Sequence, residues 1–220
     1  MKTRMIILVL AAVFALSPVA IQGTPSILAD LADPEAFFEI SSGRTTNTWD
    51  GSYNTNWHNS LNWSLNRVPL ATDDVVIPDG MPNYPTVTAD AECSILLTYG
   101  GTSLTITQGS LYVNSEAGLY GSLILDWTGS GDSPKLIILN HIAFNAGSSV
   151  NVTQENAGLI YLGGDVFFNA GSNLNMTGGF LQLAGIGNSH IRTYAPTTIH
   201  HLVSSKDPGY DTLFLGYNDA

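Results

Sequence analysis

His141-Ile-Ala-Phe-Asn-Ala-Gly-Ser-Ser-Val-Asn-Val152 returns as Asp165-Val-Phe-Phe-Asn-Ala-Gly-Ser-Asn-Leu-Asn-Met176, 24 positions on, and Gly158-Leu-Ile-Tyr-Leu-Gly-Gly164 returns as Gly179-Phe-Leu-Gln-Leu-Ala-Gly185, 21 positions on. A period in the low twenties, made of strands and Gly/Asn/Ser corners with no helical stripe, is the signature of a coiled β-solenoid. Within each copy apolar residues alternate with polar ones: Val150 and Val152 lie between Ser149, Asn151 and Thr153, and Leu174 and Met176 lie between Asn173, Asn175 and Thr177. Successive side chains of a strand point to opposite faces, so each copy has one apolar face and one amide and hydroxyl face. A single such strand cannot bury itself. If the chain returns about 22 residues later, equivalent strands lie roughly 4.8 Å apart, their apolar faces merge, and backbone groups pair from coil to coil.

The same phase runs outward from this stretch. Ser103-Leu-Thr-Ile-Thr107 alternates in the same way, and Leu104 precedes Val150 by 46 positions, two turns of 23. Gly109-Ser-Leu-Tyr-Val113 matches Gly158-Leu-Ile-Tyr-Leu162, while Gly121-Ser-Leu-Ile-Leu125 and Lys135-Leu-Ile-Ile-Leu139 fill the turn between. Ile199-His-His-Leu-Val203 and Thr212-Leu-Phe-Leu215 continue the series after a longer corner. The expected fold is therefore all-β: a single-stranded parallel β-helix, right-handed from the twist of strands. Its coils occupy residues 93–220, with the last coil unfinished at the carboxy end, as in a fragment.

The amino end reads differently. Residues 1–23 have the form of an export signal: Lys2 and Arg4, an apolar run from Met5 to Leu16, and a small-residue end at Ala20 or Gly23. The run is too short for a membrane span, so no membrane insertion is expected after cleavage. Its removal leaves five basic residues against eighteen acidic ones. Such a surface repels nucleic acid and anionic lipid. Charged residues make up only 11% of the chain, so Asn, Ser, Thr and Gly must supply solubility. The single cysteine, Cys93, closes no intrachain disulfide and reads as a small buried residue. Residues 24–44 form a leader or linker.

From Thr45 the composition shifts again. Trp49-Asp-Gly51, Trp57, Asn62-Trp63, Val68-Pro69, Asp74-Val-Val-Ile77-Pro78 and Tyr84-Pro85 precede the first Leu-Thr-Ile coil. In this order they resemble the amino-terminal part of large secreted surface proteins of Gram-negative bacteria, where a tryptophan-rich opening leads into a parallel β-helix. The resemblance covers roughly residues 45–220. It implies further modules on the same polypeptide, type IX secretion, and an extracellular or outer-surface location. No carboxy-terminal sorting module is present in these residues.

Two readings compete for the tryptophans. Trp49, Trp57 and Trp63 are candidates for a flat aromatic platform that stacks on sugar rings. The stronger reading makes residues 45–92 a cap, because the first coil of a solenoid has an open apolar end and unpaired backbone groups. Asp73, Asp74 and Asp79 carry the oxygens that calcium prefers, but their spacing matches no recognised calcium loop, and solvated turn carboxylates are the simpler account. No other cofactor or metal is expected. His200 and His201, as strand neighbours, should face opposite ways and not share a metal. His190 and Arg192 share a face.

A polysaccharide hydrolase would need paired carboxylates on one face, and a lyase on acidic polymers would need basic residues and calcium. The coils hold only Lys135, Arg192 and Lys206 as basic residues, and Glu155 and Asp165 sit in corners with no evident partner. No catalytic residue is therefore assigned. The polar ladder of Ser149/Asn173, Asn151/Asn175 and Thr153/Thr177 reads as a solvated face whose groups hydrogen-bond between coils. The leading expectation is a non-catalytic stalk or adhesive module of an exported cell-surface protein, with surface glycans or proteins as partners. The alternative is a fragment or carbohydrate-binding portion of a β-helix polysaccharide-degrading enzyme. Three Asn-x-Ser/Thr sequons, at Asn62, Asn151 and Asn175, would matter only in a eukaryotic secretory route.

Overall fold

The computed structural model describes residues 43–152, 154–155, 157–185, 189–206 and 213–217. Over these residues the chain winds into an all-β solenoid of about six turns, built from three parallel sheets. The first sheet contains Thr45–Thr48, Asp73–Ile77, Ile95–Thr98, Ala117–Leu119, Ile142–Phe144, Val166–Phe168, Ser189–Thr193 and Leu213–Tyr217, in that spatial order. The second contains Ala91–Cys93, Ser110–Val113, Lys135–Ile138, Leu159–Leu162, Phe180–Gly185 and Leu202–Lys206. The third contains Thr86–Val87, Ser103–Ile106, Ser122–Leu125, Ser149–Val152, Asn173–Asn175 and Thr197–Thr198. Parallel neighbours require a long crossover, and here the other two strands of each coil supply it.

Like residues stack on like. Val150 lies opposite Leu174 and Ile160 opposite Leu181. Phe144 lies opposite Phe168, with their rings stacked 5.1 Å apart at 15°. All of these side chains are buried, as are Val152 and Met176. Burial of each such side chain contributes about 1.5–3 kcal/mol, which offsets the backbone ordering that the coil demands. The corners follow from the Asn-Ala-Gly-Ser repeat: Gly147 and Gly171 have φ of 84° and 82°. In both copies the serine N–H donates back across the turn, Ser148 to the Asn145 carbonyl and Ser172 to the Asn169 carbonyl. Asn169 Nδ2 donates to Asn145 Oδ1 at 2.7 Å, linking consecutive corners.

Three features differ from the sequence-based expectation. The two turns between Leu104 and Val150 are unequal, because Leu104 pairs with Leu123 after 19 residues and Leu123 with Val150 after 27. The excess is taken up by residues 126–134, a Gly/Ser/Asp corner that lies mostly exposed and leaves strand register intact. Second, the strand expected at residues 199–203 begins only at Leu202. Third, the coil-to-coil amide bond forms at Asn145/Asn169 in the corner, whereas the expected outer-face bonding between coils is seen at Ser149, whose Oγ lies 2.9 Å from Ser122 Oγ. Thr153, the export signal, residues 24–42 of the leader and residues 218–220 lie outside the described residues.

Candidate functional site

The tryptophan-rich segment closes the first coil. Thr45–Thr48 pairs in parallel with Asp73–Ile77, so the amino end of the first sheet is covered by a strand. The third sheet is covered by a loop, in which Thr86 N–H donates to the Thr55 carbonyl at 2.6 Å and Trp57 N–H donates to the Thr86 carbonyl at 3.1 Å. Trp49, Trp57 and Trp63 fill the space between, at 0%, 0% and 1% exposure. Trp63 meets the other two edge-on, with centroids 4.9 Å from Trp49 and 4.8 Å from Trp57. Trp49 Nε1 donates to the Asn83 carbonyl and Trp63 Nε1 to the Trp57 carbonyl, each at 2.7 Å. The platform reading therefore needs correction: rings this buried present no face to a sugar, and the indole N–H groups of Trp49 and Trp63 are committed to backbone carbonyls.

Asparagines shape the loop that carries these rings. Asn62 is fully buried and fully satisfied. Its Nδ2 donates to Asn54 Oδ1 and to the Asn56 carbonyl, at 2.8 and 2.9 Å. Its Oδ1 accepts from the backbone N–H groups of Tyr53 and Asn54, both at 3.0 Å. Asn54, Asn56 and Asn59 each accept from the N–H two residues on, the local turn that asparagine favours. Gly51 has φ of 56°, and an added Cβ would lie 2.1 Å from the Asn83 carbonyl oxygen. Only glycine fits there.

Two adjacent carboxylates at the first coil behave oppositely. Asp73 forms a two-pronged ion pair with Arg67 and accepts from Leu70 N–H at 2.8 Å. The guanidinium holds its carboxyl below the usual carboxylate range. Asp74 is equally buried, and its nearest cation is Arg44 at 3.5 Å. Burial pushes its carboxyl up, only partly opposed by Arg44 and the Ser94 hydroxyl. Asp79 is exposed in a turn. Among the described residues no group of three or more His, Cys, Asp or Glu side chains is placed to hold a metal ion. Cys93 is free and fully buried, and desolvation, then the charges of Asp74, Asp73 and Glu92, push its thiol up.

One corner column gathers residues that looked isolated in the sequence. Asp165 was expected to lack a partner, yet its Oδ1 lies 3.0 Å from His190 Nδ1 and accepts from the His190 N–H at 2.8 Å. Asp165 N–H donates to His141 Nδ1 at 3.0 Å. The three residues follow one another at intervals of 24 and 25, one coil apart each time. Arg192 lies over the Phe167 ring, 5.6 Å from its centroid, so it shares the face of His190 without joining the carboxylate. His200 and His201 precede the strand rather than lie in it, and their rings touch at 4.1 Å, with His201 stacked on Phe180 at 5.1 Å. The expectation that they face apart fails because residues 199–201 are not extended within a sheet.

A protein-family profile described as Domain of unknown function (DUF8693) matches residues 48–173, more than half of the chain. The match begins beside Trp49 and ends in the second copy of the central repeat. No curated protein and no solved structure matches the chain.

Proposed function

The chain belongs to the family described as Domain of unknown function (DUF8693), and from that premise we propose that it is a non-catalytic stalk or adhesive module of an exported cell-surface protein. The observation that carries this reading is the unbroken register of three parallel ladders, in which each coil rests only on its neighbours. Such a stack is rigid along its axis and presents long outer faces of constant spacing, which suits a spacer or an extended contact surface. The faces differ in chemistry. Ser122, Ser149 and Asn173 line the third sheet in register, while Tyr112, Ile137, Tyr161 and Gln182 line the second. Surface glycans or proteins are the partners this suits, and the Gram-negative cell exterior is the location.

Expression of the full chain in a Gram-negative host tests export: cleavage at Ala20–Gly23 and recovery outside the inner membrane are expected, and retention of the uncleaved chain in the cytoplasm overturns it. Incubation with pectin-like polymers tests the absence of catalysis. Release of unsaturated or reducing sugars that Asp165→Asn abolishes would replace the stalk with a polysaccharide-degrading enzyme.

A further inference from the structure

A strand closes the first sheet and a loop the third, whereas the second begins with a strand whose free edge no backbone hydrogen bond of the described residues covers. Among the described residues Ala91–Cys93 pairs only with Ser110–Val113. Asn114 N–H donates to the Cys93 carbonyl at 2.9 Å, so Ala91 and Cys93 turn their backbone groups toward that neighbour. In a parallel ladder the residue between them faces the other way, which leaves the N–H and C=O of Glu92 directed outward. A cleft of about 290 Å³ lies along this strand, lined by Asp90, Ala91 and Glu92 and by His58, Val68, Pro69 and Tyr112. Val68 and Pro69 lie in no strand, and Pro69 has no N–H to offer the ladder.

We propose that this cleft is a strand-addition site for an extended peptide carrying Lys or Arg, which pairs with the Glu92 backbone and sets its basic side chains against Asp90 and Glu92. Strand addition draws affinity from the main chain and specificity from alternate side chains. The occupant follows from charge. Asp90 and Glu92 are exposed at the cleft, and no Lys or Arg lines it. A second copy is disfavoured, because the chain has a net charge of −11. Residues 24–42 are disfavoured too: they hold Asp30, Asp33, Glu35 and Glu39 and no basic residue. The inference does not depend on the stalk reading, since peptide binding and polymer cleavage are measured separately.

The test uses the full chain and three labelled peptides: Thr-Lys-Val-Lys-Thr, its Glu-for-Lys counterpart, and a version with proline at the centre. The expected result is that the lysine peptide binds with millimolar or tighter affinity, weakens as salt rises, and slows hydrogen exchange at the Glu92 amide. The other two should bind at least about tenfold more weakly. Glu92→Lys should weaken the lysine peptide by about tenfold or more, and Asp90→Asn, which keeps the Oδ1 acceptor for Ser110 N–H, should weaken it less. Equal binding of the glutamate peptide, no change in Glu92→Lys, or displacement by a peptide of residues 24–42 overturns the proposal, as does no binding at all.

Discussion

Asn62→Ala isolates what the buried amide contributes to the end of the solenoid. Four hydrogen bonds disappear, each with a net worth of about 1 kcal/mol when a partner is left behind. Tyr53 is 65% exposed, so its N–H regains water, and the Asn56 carbonyl and Asn54 Oδ1 each keep a second donor, the N–H groups of Asn59 and Asn56, which holds the loss below the full sum. The sum is about 2–4 kcal/mol, a large share of a typical domain stability of about 5–15 kcal/mol. In a stack where each coil touches only its neighbours, this loss is spent at the end rather than spread through the body. The expected outcome is local opening of residues 50–63 before the coils melt. Hydrogen exchange at the Tyr53 and Asn54 amides should accelerate, and tryptophan emission should shift to the red at urea concentrations where far-ultraviolet circular dichroism is unchanged. Asn62→Leu separates hydrogen bonding from volume, because it fills the space without donating or accepting. If Asn62→Leu melts like the wild type with both amides still protected, packing alone holds the loop and the argument fails.

Gly51→Ala should destabilise the same end by about 2 kcal/mol or more, since positive φ and a carbonyl within the new methyl's radius act together; a thermal midpoint equal to that of the wild type would contradict this. The two aspartates should diverge. Asp73 has a lowered folded pKa, so its contribution is present above the unfolded value of about 4 and fades as pH falls through the folded value. Asp73→Asn should therefore lower stability at pH 7 and flatten the acid limb of the unfolding curve. Asp74 has a raised folded pKa, so its charged form opposes folding above that value and the penalty lifts as pH falls. Asp74→Asn should raise the midpoint at pH 7 and change little in acid; a lower midpoint at pH 7 would show that the Arg44 ion pair outweighs burial. Cys93 should resist thiol reagents in the folded chain and react stoichiometrically in denaturant, and rapid labelling of the native protein would place it outside the core.

Repetition made the coils legible, because a strand that stacks on its own copy must place Val150 near Leu174, whatever the corners do. Corner length was not legible: register depends on strand pairing, and nothing in the apolar alternation distinguishes a turn of 19 residues from one of 27. The burial of Trp49, Trp57 and Trp63 followed from the open end they close, but the role of Asn62 had no sequence signal beyond an asparagine-rich loop. The pairing of Asp165 with His190 was within reach, since 24 and 25 positions separate it from His141 and His190, one coil each way. Reading corners one at a time concealed a contact that exists only between coils. The cleft beside Ala91–Cys93 was not legible, because it arises where the proline-bearing segment fails to pair.

The unequal coil that carries residues 126–134 marks where this architecture accepts foreign sequence. Strand register is the same before and after it, so added length there leaves the ladders intact and costs the corner its side-chain bond to the preceding coil, Gln108 Nε2 to the Ser130 carbonyl, while loop closure penalises extension only logarithmically. An epitope or enzyme tag inserted at Gly129–Gly131 would ride on the outside of the rod as a reporter, at a known height along its axis.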